Sequence, residues 1–448
     1  MNSIKVGIIG LGTIGCGTLR ILTENRDILS ERIGAAIDVV RAADLDLDRP
    51  RPVEIPQSIL TADALEVVRD PEVQIVVELI GGIEPARSYI LDAIEHGKHI
   101  VTANKALLSE YWQELVAKAE EKGVCLLYEG SVAGGIPIIR TIKVGLVANR
   151  IKSVTGIING TCNYILSKMS SEKLGFDKAL AMAREMGYAE ADPAMDVEGI
   201  DAAQKLSILV NLCFDVPVSY QDLPYQGITE LTSMDLEMAE EFGYRVKLLA
   251  SAKSTAENTA ENTDSKVEAW VHPALVPVKH PLAAVDDVYN AVYIEDDNLG
   301  PSLYYGRGAG ALPTGSAVVA DIVSCSRDIL SGAVGRVPVR GTRQGTAGEQ
   351  RPQLAEDNVS EFYVRITAKD RPGVLSAISG LLAESEISIS SVIQRGREPV
   401  EGGGVPLVMI IHEASHARLV KALSVIDAMD VTLGKSFYMR ILPEGDKR

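Results

Sequence analysis

Six residues near the start of the chain constrain it more than any others. Gly10-Leu11-Gly12-Thr13-Ile14-Gly15 directly follows the apolar run Ile4–Ile9 and opens a helical stretch from Thr13 to about Glu24. A strand that turns through this glycine spacing into a helix predicts a parallel sheet with a phosphate-sized gap at the turn. Gly10 permits the tight turn, Gly12 lets backbone approach a pyrophosphate, and Gly15 lets helix pack close to strand. Leu11, Thr13 and Ile14 complete the loop, and the unpaired N–H groups of the helix start suit an anion. The expected ligand is a dinucleotide. Asp44, at the end of the second predicted strand, suits the ribose hydroxyls of NAD; Arg41, Arg49 and Arg51 suit the 2′-phosphate of NADP. The residues leave both cofactors open.

The rest of the first 130 residues keeps the same rhythm. Strands are expected at Ile37–Ala43, Ile75–Ile80, His99–Thr102 and Val124–Tyr128, with a helix from Pro85 to near Gly97. This alternation predicts an α/β fold with a Rossmann-type domain over residues 1–130. An α+β domain for substrate binding and dimerisation is expected over 131–304, and 305–335, helical from Val318, is expected to return to the first domain. Lys253–Lys266 is polar and nearly repetitive and reads as a surface loop. Residues 336–359, rich in Gly and Pro, read as a linker. Residues 360–448 follow the order β-α-β-β-α-β of a ferredoxin-like unit, with its second helix over Ser415–Ile426 and its last strand over Val431–Ile441.

Charge adds two limits. The chain carries 44 Lys+Arg against 61 Asp+Glu, a formal net charge of −17. That excess argues against nucleic acid and anionic membrane as partners. Residues 171–300 sum to −15 and residues 361–448 to 0, so the acid is concentrated in the middle. Asp235–Glu241 and Glu295–Asp297 read there as a solvated face. No apolar run reaches the roughly 18–20 residues of a membrane span. Five dispersed cysteines without CxxC spacing argue against disulfides or zinc, and with the absence of a leader pattern they suggest the cytoplasm.

The chemistry-bearing residues cluster in Gly187–Lys205. Asp201 and Lys205 are spaced i, i+4 on a helix expected from Gly199 to Phe214, with Glu190 and Asp196 just before it. A lysine beside an apolar wall and several carboxylates suits proton transfer, although the same spacing also makes ordinary surface pairs. Lys105 closes Thr102-Ala103-Asn104-Lys105 on the ligand side of the sheet. Glu129–Pro137, glycine-rich with one carboxylate, suits either a hinge or a hard cation held by carbonyls.

Together these segments resemble homoserine dehydrogenase with a C-terminal ACT domain. The resemblance is carried by GLGTIG (10 onward being its glycines), TANK at 102–105, YEGSVAGGIPII at 128–139 and GIINGTCNY at 156–164. GYAEADPAMDVEGIDAAQKL at 187–206, YYGRGAGALPTGSAVVAD at 304–321 and DRPGVL at 370–375 complete it. It implies NAD(P)H-dependent reduction of L-aspartate 4-semialdehyde to L-homoserine, on the way to threonine and methionine. It implies Lys205 as proton donor, Asp201 as its positioner, Lys105 at the cofactor and reacting group, and Glu190 and Asp196 at the substrate. Thr102 and Gly310 fall to the cofactor. Glu129, Val132, Gly134 and Ile136 resemble a structural sodium site, the last three through carbonyls. Many relatives carry an Arg where this chain reads Ala42-Ala43-Asp44, so use of both cofactors is expected. The ACT unit implies a threonine effector at Lys369–Val374, with Asp370, Gly373 and Val374 as contacts, and a homodimer or homotetramer.

Two rival readings make different demands. An aldehyde dehydrogenase would need a nucleophilic cysteine with a base, and Cys162 is the candidate. A non-catalytic amino-acid sensor would keep the ACT unit and not need Lys205.

Overall fold

The computed structural model describes residues 3–255, 266–342, 353–355, 357–394 and 404–443. Most of the loop expected at 253–266, residues 343–352 and 356 of the expected linker, and the last five residues lie outside these.

The N-terminal apolar runs pair as a six-stranded parallel sheet. Its strands are β1 (Ser3–Ile9), β2 (Ala36–Ala43), β3 (Leu60–Thr61), β4 (Ile75–Glu78), β5 (His99–Thr102) and β6 (Leu126–Leu127), in the order β3-β2-β1-β4-β5-β6. This is the doubly wound order, whose ligand crevice opens at the C-terminal ends of β1 and β4. Ile4, Val6 and Ile8 alternate onto one face and pack with Val318, Val319 and Ile322 of the helix Ala311–Ser331. That helix therefore belongs to the first domain's core. It starts at Ala311, seven residues before the expected Val318, because Gly310 caps it with a φ of 122°. The return starts there and not at 305: residues 305–307 complete a strand of the second sheet.

That second sheet has ten strands: β7 (Ile151–Ile157), β8 (Tyr244–Ser254), β9 (Lys266–Pro277), β10 (Tyr289–Asp296), β11 (Pro301–Arg307), β12 (Gln353–Leu354), β13 (Val359–Ala368), β14 (Ile389–Gln394), β15 (Val405–Ser415) and β16 (Phe437–Ile441). Its order is β11-β10-β7-β8-β9-β16-β13-β15-β14, with β12 added alongside β9. The last four strands in this order are the ferredoxin-like arrangement of the C-terminal unit, completed by helices Val374–Glu384 and His416–Asp427. β16 starts at Phe437, not Val431, because Val431–Ser436 turn to cap the preceding helix, with Ser436 N–H and Oγ on Asp427.

The C-terminal unit is thus continuous with the middle domain. β16 pairs in parallel with β9, Arg440 opposite Ala274 and Ile441 opposite Leu275. Asp235 corrects the expectation of a solvated acidic face. It is fully buried, accepting from Tyr363 Oη at 2.8 Å and Arg365 Nε at 2.8 Å, both on β13. Asp296 is also buried, receiving the Leu299 N–H and Asn149 side chain that close its turn. The expected linker likewise begins docked: Val339 O accepts from Tyr128 Oη at 2.9 Å, and the buried Arg340 pairs with Glu120.

Among the described residues, no helix is long and apolar enough to cross a membrane. The five cysteines are free, but dispersal in sequence misleads: Cys125, Cys325 and His99 gather within 4.8 Å of one another in the first domain.

Candidate active site

The glycine loop has the space a cofactor needs. A Cβ at Gly12 would meet nothing within 4 Å, whereas one at Gly10 would press on Leu79 and Ile80 backbone and one at Gly15 on Gly10 O. Thr13 is exposed and Ile14 half-buried, while the Leu11 side chain is buried. The two helices that start here are tightly packed: a Cβ on Gly17 would lie 2.2 Å from Ala311 O. Gly310 therefore stands beside the glycine loop, and two positive helix N-termini meet at the crevice.

Asp44 has a different first task from the one expected. Its Oδ2 accepts the Leu11 N–H at 2.8 Å and its Oδ1 the Asp46 N–H at 3.1 Å, with Arg51 3.7 Å away. It clamps the glycine loop, and only its remaining lone pairs face a ribose. Of the three arginines, Arg41 is committed to Asp70 at 2.9 Å, and the Arg51 guanidinium is fastened to carbonyls of Asp46, Leu47 and Arg49. Thr102 is fully buried and donates to Glu78 Oε2 at 2.7 Å, so its hydroxyl lies beneath the crevice. Glu78, absent from the sequence reading, also receives the Ile80 and Gly81 N–H groups and Asn104 Nδ2. Burial raises its pKa despite these bonds.

Three segments meet at Asp201. It lies in the first turn of the helix Ile200–Phe214, where a carboxylate suits the dipole. Its Oδ2 accepts from Lys205 Nζ at 2.7 Å and Asn159 Nδ2 at 2.8 Å. Its Oδ1 lies 2.9 Å from Lys105 Nζ. Lys205 also donates to Ile158 O at 2.8 Å, which leaves one of its three N–H bonds free of these two partners. Burial alone would raise the Asp201 pKa, but the two lysine charges and their hydrogen bonds outweigh it and hold it well below normal. Lys105 begins a helix, an unfavourable place for a cation that Asp201 offsets. Its pKa is raised, chiefly by Asp201, with Asp196 and Glu190 adding less.

The structure thus brings Lys205, Asp201, Lys105 and Asp196 together through Asp201 and Asn159, with Glu190 close enough to act on the Lys105 charge. Asp196 accepts from Asn159 Nδ2 at 2.7 Å, and its pKa is raised, first by burial and then by Asp201. Glu190 is exposed at the rim. Asn159 was missed by the sequence reading; its place just after β7, as the cap immediately before the helix Gly160–Glu172, was the available signal. Cys162 is fully buried, its thiol donates to Asp196 O at 3.1 Å, and burial pushes its pKa well up. That is a packed thiol, not a nucleophile.

Glu129 is buried behind the crevice. Its two oxygens accept the Ile139 and Arg140 N–H groups, each at 2.8 Å, and its own N–H donates to Asp321 Oδ2 at 2.7 Å. Val132 and Ile136 are buried beside it, and Gly134 has a φ of 40° and no room for a Cβ against Gly308 O. Burial raises the Glu129 pKa and, with the Glu129 charge, carries Asp321 up to about 7. Two buried carboxyls supply oxygen atoms of the kind a hard cation takes, although Arg140 Nη2 already lies 3.4 Å from Asp321 Oδ1. In the C-terminal unit Asp370 is exposed, Gly373 caps the helix Val374–Glu384 with a φ of 90°, and the Val374 side chain is in the core, so only its backbone faces outward.

Comparison with known proteins agrees with this arrangement. Residues 10–129 match "Homoserine dehydrogenase, NAD binding domain", residues 137–323 "Homoserine dehydrogenase", and residues 362–429 "ACT domain". The homoserine dehydrogenase of Pseudomonas aeruginosa is 42% identical over 442 residues, covering 98% of this chain and 99% of that one. The crystal structure of a homoserine dehydrogenase from Thiobacillus denitrificans superposes with a TM-score of 0.88 at 43% identity, covering 99% of each chain. A hyperthermophilic archaeal homoserine dehydrogenase in complex with NADPH superposes with a TM-score of 0.60 at 26% identity, covering 72% of this chain and 98% of that one.

Proposed function

Since the chain belongs to the homoserine dehydrogenase family, an NAD(P)-dependent oxidoreductase family with an ACT domain in this member, we propose a division of labour among its site residues. Lys205 is the proton donor in reduction of L-aspartate 4-semialdehyde to L-homoserine. The bound nicotinamide supplies the hydride, and the aldehyde oxygen gains negative charge as its carbon receives it. The free N–H of Lys205 meets that oxygen, stabilises the charge and donates the proton. Asp201 keeps Lys205 charged and aimed, and Asn159 holds Asp201. Lys105 provides a second positive charge beside the reacting group. Glu190 and Asp196 bind the substrate ammonium. The observation that carries this reading is the single carboxylate shared by Lys205 and Lys105 in the crevice.

The finer assignments are proposed on the same footing. Both NAD and NADP are used, Asp44 taking the ribose and Arg49, the arginine of the three not committed elsewhere, the 2′-phosphate. Glu129, with the Val132, Gly134 and Ile136 carbonyls, holds a structural sodium ion. The ACT unit makes the enzyme sensitive to threonine, and the chain assembles as a homodimer or homotetramer. A steady-state assay of homoserine oxidation with NAD and with NADP, each with and without threonine, tests the reading. Turnover with both cofactors and inhibition by threonine are expected. Absence of homoserine-dependent turnover would overturn the catalytic assignment, and threonine-insensitive turnover the regulatory one.

A further inference from the structure

A cavity of about 390 Å³ lies where the C-terminal unit meets the middle domain, away from the cofactor crevice. That is within the size range of small-molecule sites. Its inner wall carries His272 of β9, a buried residue whose Nδ1 has no partner, together with His416 and Tyr438 of the C-terminal unit. Behind them the fully buried Arg440 guanidinium sits between the Trp270 ring at 5.0 Å and the Phe362 ring at 5.4 Å, with Nε and Nη2 unpartnered. Burial and then this charge lower the pKa of both imidazoles, that of His416 to about 4. Both rings are therefore neutral at neutral pH, and the positive charge on this side is that of Arg440, buried behind the wall and not part of it. At the mouth stand the exposed carboxylates Glu198 and Glu230, with Lys435 3.9 Å from Glu230. The field runs from positive inside to predominantly negative outside.

The wall of this cavity is also the support of the catalytic turn. Val271, next to His272, brackets the loop 224–226: its N–H donates to Pro224 O at 3.0 Å and its carbonyl accepts the Gln226 N–H at 2.8 Å. Ile228 N–H then donates to Val197 O at 2.8 Å. A Cβ on Gly227 would lie 1.9 Å from that same carbonyl, so loop and turn cannot move independently. The turn runs from Asp196 to Gly199, the left-handed cap of the helix that carries Asp201 and Lys205.

We propose that this junction cavity binds a small zwitterionic amino acid, carboxylate inward and ammonium at Glu198 and Glu230, and thereby controls the Asp196–Asp201 turn. The proposal rests on the regulatory reading above and relocates its site, from the start of the helix Val374–Glu384 to the seam between the two units.

The test uses the full chain, with homoserine oxidation and calorimetric binding both titrated with L-threonine and L-methionine, and with succinate as a dianion control. Thr229→Trp fills the mouth from an exposed position, and Glu230→Lys reverses the charge offered to the ammonium. At least one amino acid is expected to bind and inhibit, with sensitivity falling about tenfold or more in both variants, as for typical coupling between sites, while uninhibited kcat is unchanged. Asp370→Ala is expected to leave sensitivity within about twofold, well below that coupling. Full sensitivity in Thr229→Trp and Glu230→Lys with loss in Asp370→Ala would overturn the cavity and keep the regulatory reading. Succinate binding as well as the amino acids would overturn the zwitterion. No binding and no inhibition by either amino acid would overturn both the cavity and the regulatory reading.

Discussion

Replacing Lys205 with methionine separates chemistry from stability because Asp201 has two lysines. Removing one partner of a buried ion pair ordinarily costs about 3–5 kcal/mol by stranding the other charge. Here Asp201 would keep Lys105 at 2.9 Å and Asn159 at 2.8 Å, and the thioether fills much of the space the ammonium chain left. Lys205→Met is therefore expected to lower Tm by less than about 2 °C, since roughly 1 kcal/mol shifts Tm by about 1 °C in a chain of this size. The catalytic loss is of another order. A positioned proton donor contributes about 10²–10⁴-fold, or about 3–5 kcal/mol of the barrier. The expected result is a kcat for homoserine oxidation reduced by that factor, followed by NAD(P)H absorbance, with cofactor binding retained in a fluorescence titration. Asp201→Asn is the converse. It strands two ammonium groups, and should lower Tm by roughly 6 °C or more as well as abolishing most turnover. A Lys205→Met enzyme with kcat within about tenfold of the parent would refute the donor assignment, since that is below the usual worth of a general acid. A larger loss in Lys105→Met, with cofactor bound normally, would move the role to Lys105.

Three further outcomes are expected. Asp235→Asn weakens the hold on Tyr363 and Arg365 and should cost about 3–5 kcal/mol, seen as a lower Tm and faster proteolysis; a change within the roughly 0.5 kcal/mol typical of surface sites would restore the solvated reading. Asp321, whose folded pKa of about 7 lies above its unfolded value, binds its proton more tightly in the native state, so its contribution is full below about pH 4 and is lost, up to about 4 kcal/mol, as pH rises to about 7. A sodium ion at Glu129 would offset that loss, so sodium chloride should raise Tm over choline chloride more at pH 8 than at pH 5; identical Tm in both salts at both pH values would rule the ion out. Cys162→Ser should keep kcat within about threefold, far from the loss of a nucleophile, and near-complete loss at unchanged Tm would revive the covalent reading.

What the sequence disclosed follows from how far apart the interacting groups lie. The glycine loop and the Asp201–Lys205 pair obey local rules, a strand–turn–helix spacing and an i, i+4 step, and both stand in the fold as read. Lys105 reaches Asp201 across 96 residues (201 minus 105), and only the resemblance put them in one site. Glu78 was invisible because nothing local distinguishes a buried glutamate from an exposed one, and the only local signal for Asn159 was its place as a helix cap. Asp44 was legible as a crevice residue, but its bond to the Leu11 N–H required knowing how β1 and β2 end side by side.

The C-terminal unit shows the same limit at the scale of domains. Gly- and Pro-rich composition marks where a chain crosses between units, not where the units pair. The pairing is made by β16, about 80 residues beyond the linker in sequence, on the edge of β9. Cutting the chain near Asn358 would bare that edge and leave Asp235 buried without Tyr363 or Arg365. An unpaired edge invites aggregation, and a stranded buried carboxylate costs several kcal/mol. In this chain the edge and the carboxylate tie the ACT unit to the catalytic fold, so β9 carries two loads: it pairs with β16, and through Val271 it braces the loop behind Asp196 and Asp201. A displacement of the ACT unit therefore has a short mechanical route to the catalytic turn through β9, and a second through Arg365 Nη2, which donates to Glu230 O at 3.2 Å.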